Sequence, residues 1–336
     1  MTTKSFFTSL PYISVVIPCY NCAKTIGSAL NALKQQSYAG LYQIICVDDG
    51  SVDTTADVIR SFDNVTYIYQ ENAGPAQARN TGADKALGDI LVFTDSDCVP
   101  EVNWLDRLVE GFISDEVGAV AGSYGIVNKE FRLARGVHAE IMFRHHRLMG
   151  QYVRAFGSYN VAILKKIFFS VGGFDGSYRH ASGEDNDLSY KITQAGYKIF
   201  FNREAKVDHV HPISVRRYLG EQYRHGYWRA KLYMQHPDMR RGDDYTFWKD
   251  MVEIPFVGIL FILFSLAIFN LNMASLYFLL FLGFVVFETF FGILFCRHVI
   301  DGVFFGGVMA LRAVVRTMGF LLGGVKFFNL KSLTQK

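Results

Sequence analysis

The sequence lacks the glycine patterns that hold phosphates in two common nucleotide-binding folds. Neither Gly-x-Gly-x-x-Gly nor Gly-x-x-x-x-Gly-Lys-Ser/Thr follows a strand-like run, so the sequence supports neither a dinucleotide site nor a P-loop. It also lacks a basic excess, because the net charge is only +3. Nucleic-acid binding by the chain as a whole is therefore not expected.

Cysteine is scarce, and its spacing forms no framework. The five cysteines are Cys19, Cys22, Cys46, Cys98 and Cys296. An odd number in a chain of 336 residues argues against a disulfide scaffold and fits a reducing compartment. Cys19 and Cys22 have the spacing of a redox or zinc pair, but no second pair completes a metal site. The first residues show no basic and then apolar pattern, so we expect no secretory signal.

Charge is rare from Ile254 onward. Residues 254–271 carry no charge, and residues 274–296 carry only Glu288. Both runs are long enough to cross a hydrocarbon core, and they predict a helical hairpin. The alternative is a buried globular helical domain.

A third apolar run, residues 303–325, contains Arg312 and Arg316 on one helical face. Two arginines facing lipid are costly. We therefore expect this helix to lie in the interface or to pack its basic face against polar groups.

The charges beside the hairpin predict its orientation. Arg297, His298 and Asp301 follow the second span, while Arg240, Arg241 and Lys249 precede the first. By the positive-inside tendency, both flanks lie on the cytoplasmic side of the membrane. The part of the chain before the hairpin is then cytoplasmic too.

Short apolar runs alternate with amphipathic segments in the first hundred residues. The predicted strands are 13–17, 43–47, 65–69 and 90–94, and the predicted helices are 25–36, 54–62 and 76–87. This alternation predicts an α/β fold with a mainly parallel sheet flanked by helices. The apolar segment adds an all-α, membrane-associated region. Ligands of such sheets bind beyond the carboxyl ends of the strands.

Acidic motifs follow two of these strands. Asp95-Ser96-Asp97 places two carboxylates at a strand end, an arrangement that suits Mg²⁺ or Mn²⁺ with phosphate oxygens as further ligands. Asp48-Asp49-Gly50-Ser51 ends another strand, where a carboxylate can accept hydrogen bonds from a base or ribose. Helix capping and an Asp-Gly turn are the structural alternatives.

The motifs together resemble family 2 glycosyltransferases of the GT-A fold. The chain carries, in this order, Val15-Val16-Ile17-Pro18-Cys19-Tyr20-Asn21, Val47-Asp48-Asp49-Gly50-Ser51, Asn72-Ala73-Gly74, Ala78-Arg79-Asn80, Phe93-Thr94-Asp95-Ser96-Asp97, Val171-Gly172-Gly173-Phe174-Asp175 and Gly183-Glu184-Asp185-Asn186-Asp187. The resemblance covers about residues 12–230, and several strings in register make it specific.

The resemblance implies roles for the residues that would bind the donor. Asp49 would contact uracil or another base, in a pocket shaped by Pro18 and Tyr20. Arg79 matches a basic residue near the nucleotide. Asp95 would face the ribose and the metal.

It also implies a metal site and a catalytic base. Asp97 would ligate the metal that bridges the diphosphate, and His209 or His211 would complete the site. Asp185 matches the catalytic base, with Glu184 beside it. The chemistry agrees, because a carboxylate opposite the leaving group can deprotonate a sugar hydroxyl as it attacks. The alternative is that these carboxylates merely favour a helix N-terminus.

The segment from Ile213 to His236 is both basic and aromatic. It suits anionic headgroups or a lipid-linked diphosphate, although a solvated helix is the alternative. Processive members of the family carry Gln-x-x-Arg-Trp here, whereas Gln222, Arg224 and Trp228 are spaced differently. We therefore do not expect polymerisation.

The sequence thus predicts an inverting, metal-dependent glycosyltransferase. It would use Mg²⁺ or Mn²⁺ to move one sugar from a nucleotide-sugar, expected to be a UDP-sugar, to a hydroxyl of a lipid-linked saccharide or other membrane acceptor. A polyprenyl phosphate acceptor is the alternative, but it is already ionised and needs no base.

Two other classes of protein fit the sequence less well. A nucleotidyltransferase would need more basic residues near the first strand than Lys24 alone. A non-catalytic scaffold would be expected to have lost some of these carboxylates.

We divide the chain into three predicted regions. Residues 1–235 form the catalytic domain, with a nucleotide-sugar half over about 12–122 and an acceptor half over about 123–235. Residues 236–253 form a juxtamembrane linker, and residues 254–336 form the membrane region.

Overall fold

The computed structural model describes residues 7–180, 182–238 and 246–334, and side chains up to residue 328. Within it the chain forms two compact units. The first contains residues up to Val127 and Met149–Val210, and the second contains Asn128–Leu148 and the chain from His211. The predicted boundary at residue 235 stays a prediction. Arg240 and Arg241, used above to orient the hairpin, lie outside the described residues.

The first unit is built on one mixed sheet. Its strands are β1 (Ile13–Cys19), β2 (Tyr42–Asp49), β3 (Val65–Gln70), β4 (Ile90–Thr94), β5 (Cys98–Pro100), β6 (Val117–Ile126), β7 (Tyr152–Val153), β8 (Asn160–Leu164) and β9 (Lys198–His209). The spatial order is β3-β2-β1-β4-β8-β6-β9-β5, with β7 on β9. The first four strands are mutually parallel, which confirms the predicted α/β fold.

Helices of the first unit connect these strands. They are α1 (Ile26–Lys34), α2 (Thr55–Arg60), α3 (Pro75–Asp84), α4 (Trp104–Glu110), α6 (Lys165–Ser170) and α7 (Glu184–Gln194). The sheet is covered on both faces, since every residue of β4 is buried. This burial explains why β4 is a continuous apolar run rather than an alternating one.

The carboxyl ends of β1 and β2 are tied together by polar contacts. The backbone N–H of Asn21 donates to Ser51 Oγ at 2.9 Å, and the N–H of Val52 donates to Asn21 Oδ1 at 2.9 Å. Asn21 adopts a positive φ of 48°, a conformation that asparagine tolerates better than most residues. The two motif loops therefore hold each other at one edge of the sheet.

A buried asparagine joins the later strands. Asn160 Nδ2 donates to the carbonyl oxygens of Ser123 and Ala205, both at 2.9 Å, while its Oδ1 accepts from Trp104 Nε1 at 2.8 Å. Asn160 and Trp104 are fully or almost fully buried. Groups buried this deeply need partners, so one side chain fixes β8, β6, β9 and α4 together.

The second unit is all-helical. Its helices are α5 (Arg132–Arg147), α8 (Val215–Gln235), α9 (Trp248–Ala267), α10 (Leu271–Cys296) and α11 (Val299–Thr334). Among the described residues, α9, α10 and the part of α11 up to Phe328 are long and apolar enough to cross a membrane. The three predicted apolar helices are thus confirmed, whereas the side on which their ends lie stays a prediction.

The arginines of α11 pack against polar groups of the same unit, as one of the expectations above describes. Arg312 donates to Glu140 through both terminal nitrogens, at 2.5 and 3.0 Å, and to the Tyr218 hydroxyl at 3.2 Å. Arg316 Nε donates to Gln222 Oε1 at 2.7 Å. Burial alone would raise the pKa of Glu140, but Arg312 and Arg144 outweigh it and lower that pKa to about 2.

We expect Asn160→Ala to destabilise the first unit by about 3 kcal/mol or more, because it leaves three buried groups without their partner. Thermal and urea unfolding followed by circular dichroism measure the loss. Asn31→Ala, at an exposed site on α1, is the control and should shift stability by less than about 0.5 kcal/mol. Equal small effects from both variants would contradict this role of Asn160.

Candidate active site

A buried arginine lies at the centre of the predicted site residues. Arg79, on α3, is 2 % exposed; its Nη2 donates to Asp95 Oδ1 at 2.7 Å and its Nη1 to Glu184 Oε1 at 3.1 Å. The guanidinium also lies over the Phe174 ring, 5.5 Å from the centroid. A planar group with several fixed donors holds two carboxylates in one geometry, whereas the lysine ammonium is a point charge on a flexible stem.

The charges around Arg79 keep it protonated. Burial alone would lower the pKa of Arg79, but Asp95 and Glu184 raise it overall, with a smaller effect from Asp185. The arginine therefore brings together carboxylates from the end of β4 and from the start of α7, which are about ninety positions apart in the chain. Asp95 and Glu184 therefore lie on one arginine, and Asp185 follows Glu184 on α7.

The three acidic residues in the first turn of α7 have different surroundings. Glu184 is buried, and its Oε2 accepts from the backbone N–H groups of Ser182 and Gly183 at 2.8 and 3.1 Å. Asp187 is buried and pairs with Lys191 at 2.6 Å. Asp185 is only half-buried. Of the three carboxylates, that of Asp185 is therefore the most accessible to a substrate.

Asp49 holds the loop that follows β3. Its carboxylate accepts from Gln70 Nε2 at 2.7 Å and from the N–H groups of Ala73 and Gly74 at 2.8 and 2.9 Å. Gly74 has φ +94°, and a Cβ there would meet the backbone of Arg179. Asp49 is only 3 % exposed, so in this structure it mainly shapes the loop. Its predicted contact with a base stays a prediction.

Asp97 and His209 lie together at the end of β4 and the end of β9. His209 Nε2 is 3.4 Å from Asp97 Oδ1, because β5, just after Asp97, pairs antiparallel with β9. With Cys98, these residues offer ligand atoms within 4.8 Å of one another. The geometry therefore forms a candidate metal centre in the first unit.

The chemistry of this group fits a hard divalent cation. Carboxylates are preferred ligands of Mg²⁺ and Mn²⁺, and histidine is the commonest metal ligand in proteins. Cys98 fits less well, because burial and the neighbouring Asp97 and Asp95 raise the pKa of its thiol, and only the thiolate binds metals well. Asp97 is 37 % exposed, which leaves room for phosphate oxygens. Asp97 and His209 are therefore the candidate ligands in this group.

The second histidine of the predicted pair has other partners. His211 belongs to the second unit, where its Nε2 lies 3.3 Å from His138 Nδ1. Asn128 holds its backbone on both sides, accepting from the N–H at 3.0 Å and donating to the carbonyl at 2.7 Å. The structure thus favours His209 over His211, a choice that the sequence left open.

Two donor-site residues predicted from the resemblance lie at the end of β1 and just beyond it. Pro18 is part of β1 and is half-buried, whereas Tyr20 follows the strand and is 54 % exposed. A tyrosine this exposed is available to a ligand, but no contact of its side chain supports the role further. Both assignments stay predictions.

Sequence reasoning missed an aromatic group beside the candidate metal centre. Tyr124 stacks on Tyr159 with centroids 3.7 Å apart, and its ring meets His209 edge-on at 5.3 Å. The sequence gives no signal for this cluster, since the three residues come from β6, the segment before β8, and β9.

Asn80 stands out in the sequence only as part of a motif. In the structure its side chain accepts from the N–H of Phe174 and donates to the carbonyl of Phe174.

Comparison with known proteins identifies a glycosyltransferase domain in the chain. Residues 14–178 match the model of the family described as Glycosyl transferase family 2. Glycosyltransferase AglE of Haloferax volcanii is 34% identical over 205 residues, which cover 57% of this chain and 65% of that protein. The pre-mycofactocin glycosyltransferase of Mycobacterium tuberculosis is 30% identical over 235 residues, covering 67% and 48%. The chain thus spans about two thirds and one half of these relatives.

A solved structure confirms the GT-A-type fold. The mannosyltransferase PcManGT of Pyrobaculum calidifontis, determined in complex with GDP-Man and Mn²⁺, matches 93% of this chain and 88% of its own, with a TM-score of 0.60 and 20% identity. Together with the family match, this fold defines the class. Residues 14–178 of the chain form a domain of the family 2 glycosyltransferases.

We predict that Arg79→Lys lowers kcat/KM by about 10- to 100-fold, equal to about 1.4–2.7 kcal/mol, because lysine keeps the charge but loses the planar, rigid fork that fixes Asp95 and Glu184 relative to each other. Initial rates with a nucleotide-sugar measure the loss, at a temperature where circular dichroism shows the variant folded. Arg60→Lys, at an exposed site on α2, is the control. A folded Arg79→Lys variant with the rate of the wild type would rule out the bridging role.

We also predict that Asp97→Asn and His209→Ala each weaken Mn²⁺ binding at least about tenfold, equal to 1.4 kcal/mol. The loss of a ligand, rather than a change of fold, is the expected cause. Titration calorimetry or the Mn²⁺ EPR signal measures the affinity. His211→Ala is the matched control and should bind Mn²⁺ like the wild type. The reverse order of the two histidine variants would move the site to His211.

Proposed function

We propose that this chain transfers a single sugar from a nucleotide-sugar to an acceptor at a membrane, with inversion at the anomeric carbon. The observation that carries the proposal is the joining of Asp95 and Glu184 through Arg79, because Asp95 precedes the candidate ligand Asp97 by two residues and Glu184 precedes the candidate base Asp185. Relatives named glycosyltransferases and a neighbour solved with GDP-Man and Mn²⁺ support a nucleotide-sugar and a divalent metal.

Asp97 and His209 would hold the Mg²⁺ or Mn²⁺. When bound, such a cation supplies positive charge to the diphosphate that leaves the sugar. The Asp97 side chain is 37 % exposed, so a cation can reach its carboxylate. Asp95 follows the same strand but is already paired with Arg79. We therefore propose that Asp95 faces the ribose and the cation and helps to orient them, and that it is not the sole ligand of the cation.

Asp185 would act as the general base. Its carboxylate is half-buried, whereas those of Glu184 and Asp187 are buried and engaged by Arg79 and Lys191. A carboxylate on the face opposite the leaving group can take the proton of an attacking hydroxyl. Glu184 would fix the start of α7, through its bonds to two N–H groups and to Arg79, and thereby position Asp185.

The donor base would lie near Asp49, Pro18 and Tyr20, at the ends of β1 and β2. Asp49 holds the loop from Asn72 to Gly74 by accepting from its N–H groups, so it would define the wall of this pocket as well as contact the base. We propose uracil as that base.

The acceptor would be a hydroxyl on a lipid-linked saccharide or another membrane molecule. The apolar helices α9 and α10 support a membrane setting, and a hydroxyl needs a base such as Asp185, whereas a polyprenyl phosphate does not. We propose that the catalytic unit faces the cytoplasm, where nucleotide-sugars are made.

Asp185→Asn should lower kcat about 10³-fold, since general-base catalysis contributes factors of this order, and should leave donor binding almost unchanged. Initial rates and titration calorimetry with the donor separate the two effects. Asp63→Asn, in an exposed loop of the same unit, is the control. If Asp185→Asn kept full turnover while charging a polyprenyl phosphate, the hydroxyl acceptor would be wrong.

A donor screen tests the reaction class. The detergent-solubilised protein is incubated with a panel of nucleotide-sugars, Mn²⁺ or Mg²⁺ and membrane lipid extract, and the released nucleotide is identified. We expect a nucleoside diphosphate, with the largest yield from a UDP-sugar. Release of pyrophosphate from a nucleoside triphosphate would instead favour a nucleotidyltransferase.

A further inference from the structure

Helices α8 and α11 run side by side in the second unit. Arg312 and Arg316 of α11 bind Tyr218 and Gln222 of α8, and further along α11 Gly319 meets the backbone of Tyr223. These contacts advance in the same direction along both helices, so the helices are parallel.

Glycines bring the two backbones together. A Cβ at Gly226 of α8 would meet the backbone of Arg316, and a Cβ at Gly323 of α11 would meet that of Tyr227. Small residues allow this close approach where helices pack in membranes. Because the contact extends to the rings of Trp228 and Phe327, α8 and the second half of α11 share one depth relative to any bilayer.

Helix α8 is too charged for a hydrocarbon core. Residues 216–231 contain five lysines and arginines, and Arg216, Arg217 and Arg224 are exposed. Charges at the centre of a bilayer are strongly unfavourable, whereas helices that combine cations with Tyr and Trp suit the interface. The second half of α11 packs on α8, so it cannot lie in the hydrocarbon core either.

The lengths of the helices agree with a separate role for α11. Helices α9 and α10 have 20 and 26 residues, close to the ~20 residues that a bilayer requires. Helix α11 has 36 and would be about 54 Å long, well beyond a hydrocarbon core of ~30 Å. If α11 crossed the bilayer steeply, one apolar end of the helix would extend into water. A helix that lies in the interface avoids this exposure.

We propose that α11 does not cross the bilayer, and that α8 with the second half of α11 forms an interfacial platform. Its exposed cations Arg216, Arg217 and Arg224 face the headgroups of anionic phospholipids, while the apolar face of α11 reaches the acyl chains. This inference stands apart from the proposed sugar transfer, because it rests on helix packing and charge alone.

A topology experiment tests the course of α11. Single cysteines replace Leu87 in the first unit, Phe269 between α9 and α10, and Lys326 in α11, in a Cys296→Ser background. A membrane-impermeant maleimide labels the full-length protein in sealed vesicles of both orientations. We expect Lys326→Cys to react from the same side as Leu87→Cys. Reaction from the side of Phe269→Cys, or only after detergent, would overturn the interfacial course.

A quenching experiment tests the lipid. Trp228 lies on α8, and Trp248→Phe leaves only Trp104, fully buried in the first unit, as a constant background. In nanodiscs with equal amounts of phosphatidylglycerol and phosphatidylcholine, the acyl chains of one lipid at a time are brominated. We expect stronger quenching of Trp228 when phosphatidylglycerol carries the bromine.

The cations should cause that preference. Arg216→Gln with Arg224→Gln should bring the two quenching values together, whereas the control pair Lys85→Gln with Lys166→Gln, exposed in the first unit, should leave them apart. Equal quenching by both lipids in the wild type, or an undiminished preference in the arginine variant, would overturn the anionic platform.

Discussion

The candidate site depends on one buried cation. Arg79 connects Asp95 at the end of β4 with Glu184 at the start of α7, and it is 2 % exposed. Removing one partner of a buried ion pair typically costs 3–5 kcal/mol, because the other charge is left uncompensated. The arginine therefore fixes the distance between the metal side of the site and the helix that carries Asp185, two parts that the chain itself separates widely.

Neighbouring contacts and the strand pairing of the same unit hold the other site residues in place. Phe174 covers its guanidinium, and Asn80, one residue further along α3, binds the backbone of Phe174 on both sides. Antiparallel pairing of β5 with β9 brings His209 to Asp97. Side chains from distant segments thus meet because strand pairing and a few fully hydrogen-bonded polar groups fix each of them in one position.

The sequence predicted the fold of the first hundred residues well, and the physical reason is local. Runs such as Ile90–Thr94 are apolar and β-branched, and they lie between amphipathic helices, so their type follows from nearest neighbours. The acidic motifs could also be placed, because parallel strands end at one edge. Contacts between residues far apart in the chain could not be predicted. The stack of Tyr124 on Tyr159 and the separation of His209 from His211 depend on the position of β9 and on where the first unit ends.

The helical region shows the same limit. Apolar length predicted α9, α10 and α11, and the spacing of Arg312 and Arg316 predicted one basic face. Its partner could not be read from the sequence, since Glu140 lies on α5, far earlier in the chain. Composition alone also treats α11 as a possible span, whereas its packing on α8 argues for the interface.

Acidic groups from separate strands and a histidine should gather one divalent cation beside the sheet. Anomalous diffraction at the manganese edge, on crystals grown with Mn²⁺ and a nucleoside diphosphate, tests it directly. We expect one strong peak within coordinating distance of the Asp97 carboxylate and of His209 Nε2. A peak elsewhere, or no peak at saturating Mn²⁺, would contradict it.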